Sequence, residues 1–189
     1  MPAFQQEMQV NYRDLFEAAI ITGAQDPNGA SMPLERLLAA ASRDGLQRLG
    51  DQSIAELIRL RSELADRADL STCAGLWSGS MARGFVPAVE SLPPQRQREW
   101  AQLFDQAARA TINRMPIRPA PTPDQYQPAL TRMMSRLPPA DLEALRSALD
   151  DSAHLTPAQE CKAVRVFYGA LARTNHADAV TLARAMLYQ

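Results

Sequence analysis

The chain has 189 residues, 46% hydrophobic and 22% charged, which suits one globular domain or two small helical units sharing a core and excludes a disordered composition. A formal charge of −1 and a pI near 6.1 give no global basic field for collecting phosphates, so nucleic acid is not an expected partner. No apolar run approaches the roughly 20 residues of a membrane span.

Only 6% of residues are aromatic, so the core must be built mainly from Leu, Ala, Ile, Val and Met, a mixture that favours helices. Phe4 to Thr22 carries Met8, Tyr12, Leu15, Phe16, Ala19 and Ile20 on one helical face, and Gly23 with Asp26-Pro27-Asn28-Gly29 ends that first helix. Ser31 is placed to cap a second helix, with Leu34, Leu37, Leu38 and Ala41 as its stripe and Gly45 as a break or kink.

Ser53-Ile54-Ala55-Glu56 has the form of a capping box. The helix it opens is expected to run to about Ala65 and to bury Ile54, Leu57, Ile58 and Leu64. Asp69-Leu70-Ser71 opens a fourth helix that carries Cys73, Leu76 and Trp77 and fades between Gly79 and Gly84.

Pro93-Pro94 starts the clearest helix. Trp100, Leu103, Phe104, Ala107, Ala108, Ile112 and Met115 form one stripe, which other helices must cover. Prolines at 116, 119, 121, 123 and 128 predict an extended, semi-rigid linker over 116–128, between a unit at 1–115 and a unit at 129–189. Thr122-Pro123-Asp124-Gln125 within it also has the form of a helix cap, and Thr156-Pro157-Ala158-Gln159 is the stronger case. After the linker, Ala129–Ser135, Pro139–Asp151, Thr156–Ala172 and Asp178–Tyr188 read as helices. No alternating run of β-branched residues predicts a strand. The expected fold is all-α: an orthogonal helical bundle of two related helical-hairpin units, effectively one domain.

The relation between those units lies in one phrase spoken twice. Ala55-Glu56-Leu57, Leu60-Arg61-Ser62, Leu64, Asp66, Ala68 and Leu70-Ser71 match Ala140-Asp141-Leu142, Leu145-Arg146-Ser147, Leu149, Asp151, Ala153 and Leu155-Thr156. A duplication and chance matching of common residues both account for it. As a duplication, each copy is a helix, a tight turn sealed by its leucine, and a second helix bearing a cysteine. Cys73 and Cys161 then face each other across the core, and a disulfide between them is expected over two buried thiols.

A search for chemistry yields little. Trp77-Ser78-Gly79-Ser80 lacks the glycine that precedes the serine of a nucleophile elbow. His154 and His176 read as turn and capping residues, and two Cys and two His, widely spread, match no zinc spacing. No glycine-rich phosphate loop is present. No metal or cofactor is therefore expected. Glu90-Ser91 resembles the single-glutamate site of helical lysozyme-like glycosidases, without their accompanying motifs, and a helix terminus before Pro93-Pro94 explains it better.

The candidate partner surface is Trp77, Met81, Phe85 and Val86 in a glycine-broken segment, which core packing would equally explain, with Arg96 and Arg98 on the fifth helix, where Arg109 and Arg114 also lie as its solvated side or as a face for an acidic partner. Lys162 is the sole lysine. Arginine in its place reflects either a GC-rich coding sequence or a use for bidentate carboxylate pairing.

Arg43-Asp44-Gly45-Leu46 with Arg48-Leu49, Leu57 to Leu64, Cys73-Ala74 with Leu76-Trp77 and Gly79, and Cys161 with Tyr168-Gly169-Ala170 together resemble a loose group of uncharacterised, Ala/Arg-rich helical proteins of GC-rich bacteria. That resemblance implies export or envelope association and brings no activity or site residues. Met1 to Val10 has neither the basic start nor the apolar core of a signal peptide, and it would also suit the start of a mature exported chain. The functional expectation is a non-enzymatic protein-binding module of the bacterial envelope, in the periplasm. Its most concrete form is an immunity protein or inhibitor that neutralises a secreted toxic effector. A cytoplasmic adaptor with reduced cysteines is the alternative, and a lysozyme-like enzyme acting through Glu90 is the remote one.

Overall fold

The computed structural model describes residues 44–77, 85–150 and 154–188. The helices expected from Phe4 and from Ser31, apart from the end of the latter, lie outside the described residues, as does the candidate Met81. Every regular element among the described residues is helical: α1 (Asp51–Arg67), α2 (Leu70–Gly75), α3 (Phe85–Glu90), α4 (Pro94–Ile112), α5 (Pro123–Met134), α6 (Pro139–Asp150), α7 (Pro157–Ala172) and α8 (His176–Met186). The chain divides into two compact units, one containing 44–50 with Pro93–Pro119 and the other Asp51–Leu92 with Ala120–Gln189. This grouping runs across the expected units at 1–115 and 129–189, because α1 to α3 fold with the C-terminal helices.

The first unit is organised by α4. Trp100, Leu103, Phe104, Ala107 and Ala108 are buried, as the stripe predicted, Ala101 is buried besides, and Trp100 stacks on Phe104 with ring centroids 5.5 Å apart. Met115 departs from the prediction, with 47% of its surface exposed. The reason is the helix end. Arg114 adopts a left-handed φ of 52°, the Arg114 amide donates to the Thr111 carbonyl at 2.9 Å, and the Met115 amide donates to the Ala110 carbonyl at 2.9 Å. This is a Schellman end, with arginine where glycine is usual.

Beyond it the chain returns along 44–50. The Arg118 amide donates to the Gln47 carbonyl at 3.1 Å, and the Arg48 guanidinium donates to the Met115 carbonyl. Gly45 sits in a helical turn at 44–46, and a Cβ there would overlap the carbonyl group of Ala107. Close backbone approach to α4, beyond the expected break in a helix, is therefore what requires glycine at 45.

In the second unit α7 packs against α1, α2, α6 and α8, while α8 also meets α1 and α5. α1 buries Ile54, Leu57, Ile58 and Leu64 as expected, together with Leu60 and Ala65. It starts two residues before the predicted capping box, which places Ser53 inside the helix. Asp51 explains the earlier start. Its carboxylate suits the positive end of the helix, and Arg184 of α8, buried at 7% exposure, donates to it from Nη2 at 2.7 Å.

α5 begins at Pro123, inside the predicted linker. The Thr122 amide donates to the Gln125 side chain at 2.9 Å, and Pro123 has the fixed φ that suits a first helical position. Pro128 lies inside this helix and forfeits one main-chain bond. Arg132 of α5 makes two bonds to Asp178 of α8, at 2.9 and 2.7 Å. Hydrogen bonding from Arg132 holds the Asp178 carboxyl below its ordinary pKa.

Candidate interaction surface

α2 is a six-residue helix, far too short to persist alone, and two devices hold it. Asp69 caps its start: one carboxylate oxygen accepts from the Ser71 and Thr72 amides at 2.9 and 3.0 Å, and the other accepts from the Thr72 hydroxyl at 2.8 Å. Bonding led by Thr72 pulls the Asp69 pKa from 3.8 down to about 2. The second device is covalent. Cys73 and Cys161 form a disulfide, with Cα atoms 5.0 Å apart, and both residues are buried.

The disulfide joins α2 to α7 and fixes an aromatic row beside it. Trp77 is half-buried, four residues after Cys73, and meets Phe167 edge-on at 6.1 Å. Phe167 meets Tyr168 edge-on at 5.3 Å. Arg61 of α1 lies with its guanidinium carbon 5.5 Å from the centre of the Tyr168 ring and donates to the Tyr168 hydroxyl at 2.5 Å. One turn along, Arg165 of α7 donates from Nε to the Ala65 carbonyl at 2.9 Å, which satisfies a carbonyl in the last turn of α1. Position 61 is thus opposite 168 and position 65 opposite 165, so α1 and α7 run antiparallel here.

The predicted partner residues scatter. Trp77 belongs to this row. Phe85 is buried at 6% exposure, so α3 turns it into the core, and its neighbour Val86 is 42% exposed. Arg96 pairs with Glu99 at 2.8 Å, whereas Arg98 is exposed on α4 in the other unit. Arg109 pairs with Asp105 at 2.9 Å. Arg61, Arg165, Phe167 and Tyr168 were not expected as surface residues: Arg61 entered only through the repeated phrase and Tyr168 only through the resemblance. Their spacing in α1 and α7 resembles that of any amphipathic helix, and only the pairing of the two helices brings them together.

The residues considered for catalysis or metal binding sit apart. Glu90 ends α3 ahead of a turn in which the Ser91 hydroxyl donates to the Ala88 carbonyl at 2.6 Å. His154 is exposed, and His176 opens α8 behind its cap Asn175. No group of His, Cys, Asp and Glu suited to a metal ion occurs among the described residues. None of the described helices is long and apolar enough to cross a membrane. No family model, curated protein or solved structure matches the chain.

Proposed function

We propose that this is a non-enzymatic protein-binding module that works in an oxidising compartment. The observation that carries this reading is the buried Cys73–Cys161 disulfide. Disulfides of this structural kind persist in periplasmic, secreted and surface proteins and are rare where thiols are kept reduced. In a bacterial envelope, the most concrete form of such a module is an immunity protein or inhibitor that covers a secreted effector. The same proposal includes an orthogonal packing of two related hairpins. Its support is that α1–α2 and α6–α7 share their sequence phrase and are tied through their second helices by the disulfide.

Native mass spectrometry and differential alkylation of the protein isolated from its own host test the reading together. The expected result is a defined complex with a second protein, and cysteines that alkylate only after reduction. A lone chain, or two thiols that alkylate on unfolding alone, overturns it; free thiols in a complex point instead to a cytoplasmic adaptor.

A further inference from the structure

We propose that the outer face of α7, completed by Arg61 of α1, docks an acidic segment of the partner protein; this rests on the protein-binding reading above. Lys162, Arg165, Gly169 and Arg173 follow one another at helical spacings of three and four on a single face of α7 and its C-terminal end. Lys162, Arg165 and Arg173 are exposed. A Cβ at Gly169 would meet only the Arg173 guanidinium, at 3.6 Å, so the backbone there is open to an approaching chain.

Elsewhere the arginines divide: among the described residues Arg67, Arg98, Arg114 and Arg146 also form no ion pair, whereas others are answered by carboxylates. Arg59 pairs with Glu56 and Glu63, Arg96 with Glu99, Arg109 with Asp105, Arg132 with Asp178, and Arg184 with Asp51. Among the described residues no carboxylate forms an ion pair with Arg61, Lys162, Arg165 or Arg173. Lys162 meets only the Ala140 carbonyl, at 3.5 Å. Arg61 and Arg165 are nonetheless positioned, each by a neutral acceptor: the Tyr168 hydroxyl and the Ala65 carbonyl.

A guanidinium has five N–H donors. Each of these two therefore keeps most of its fork for a ligand, and little side-chain freedom is lost when one arrives. Carboxylates match that fork in charge and shape. The face spans about 16 Å from Lys162 to Arg173, the length over which a helix or short strand presents three or four acidic side chains. Nucleic acid fits less well, because a chain of net charge −1 lacks the wider field that tracks a phosphate backbone.

The test uses the full oxidised chain and a fluorescein-labelled helical peptide of about 15 residues, with Glu at i, i+4, i+7 and i+11. The Gln version of the peptide and a single-stranded oligonucleotide of similar length serve as comparisons. The expected result is saturable binding of the Glu peptide alone, with amide shift changes confined to α7 and the neighbourhood of Arg61. Arg61→Gln with Arg165→Gln should weaken it about tenfold. Lys162→Gln with Arg173→Gln, which alters only exposed side chains, should weaken it severalfold while leaving the fold intact. Arg98→Gln on α4 should change nothing. Shift changes centred elsewhere, equal binding of the oligonucleotide, or indifference to both double variants overturns the docking site. If that happens while the native complex and its disulfide are present, the protein-binding reading stands and only the surface is wrong.

Discussion

α1–α2 and α6–α7 share one spaced sequence phrase and arrive at different burial. Leu60 and Leu145 occupy matching positions and are both fully buried. Leu57 and Leu64 are buried in α1, while their counterparts Leu142 and Leu149 in α6 are only half-buried. The cause is cover: α1 meets α2, α3, α7 and α8, whereas the cover of α6 comes mainly from α7. A leucine pattern states which residues are available for a core, and neighbouring helices decide how many of them enter it.

The turns differ in the same way. Asp69 caps α2, but the residue at its matching position, His154, precedes the cap of α7, which is Thr156. The later start explains the displaced cysteine. Cys161 is three positions late in the sequence phrase, yet it follows its cap by 161 − 156 = 5 residues against 73 − 69 = 4 for Cys73. The two therefore reach similar depth in their helices and meet.

The largest test of this pairing is to cut it. Reduction, or replacement of both cysteines by alanine, should lower stability by about 4 kcal/mol in urea unfolding, because the bond closes a separation of 88 residues. An unchanged midpoint would mean that the two second helices hold each other without it. Next, Leu64→Ala should cost about 3 kcal/mol and Leu149→Ala about 1 kcal/mol. Equal losses would show that the two copies have equivalent cores after all.

The caps provide a smaller contrast. Thr156→Ala should cost about 1 kcal/mol, since the Thr156 hydroxyl accepts from the Gln159 amide at the start of α7. Asp69 gives its turn a pH signature. Its carboxyl titrates lower when folded, at about 2 against an ordinary 3.8, so its contribution is present above about pH 4 and is lost as pH falls toward 2. Urea midpoints measured down that range should fall more steeply in the parent protein than in Asp69→Asn. Parallel curves would remove Asp69 from the account. The smallest effect should come from Leu70→Ala. Leu70 was expected to seal its hairpin but is 52% exposed, so a loss below about 0.5 kcal/mol is expected and a loss above 1 kcal/mol would restore the seal.

Much of the fold was legible because helices announce themselves locally. The stripe from Trp100 to Ala108, Pro94 at the start of α4, Asp69 before α2 and Thr156 before α7 are all short-range signals that the structure keeps. Reading failed where a signal depended on something distant. Ser53 had the right chemistry for a cap, but the helix begins two residues earlier at Asp51, whose carboxylate Arg184 holds from 133 residues away. Pro128 looked like a linker residue because its neighbours were prolines, yet the helix begun at Pro123 passes through it. Met115 fitted the α4 stripe, but the left-handed Arg114 had already ended the helix.

The candidate surface divides along the same line. Cys73, Cys161 and Trp77 could be named from the chain alone, since a repeated phrase and a half-apolar turn point to them. Arg61 and Arg165 could not. Each is one arginine among many, and several others, Arg96 and Arg109 included, are answered by a carboxylate three or four residues away on the same helix. The amino-acid sequence by itself determined the all-helical character, most helix starts and the two cysteines, because spacing and capping act over a few residues. Only the tertiary structure decided which leucines are buried and which arginines lack a carboxylate. Those properties belong to surfaces shared by helices far apart in the chain, here the antiparallel seam of α1 and α7.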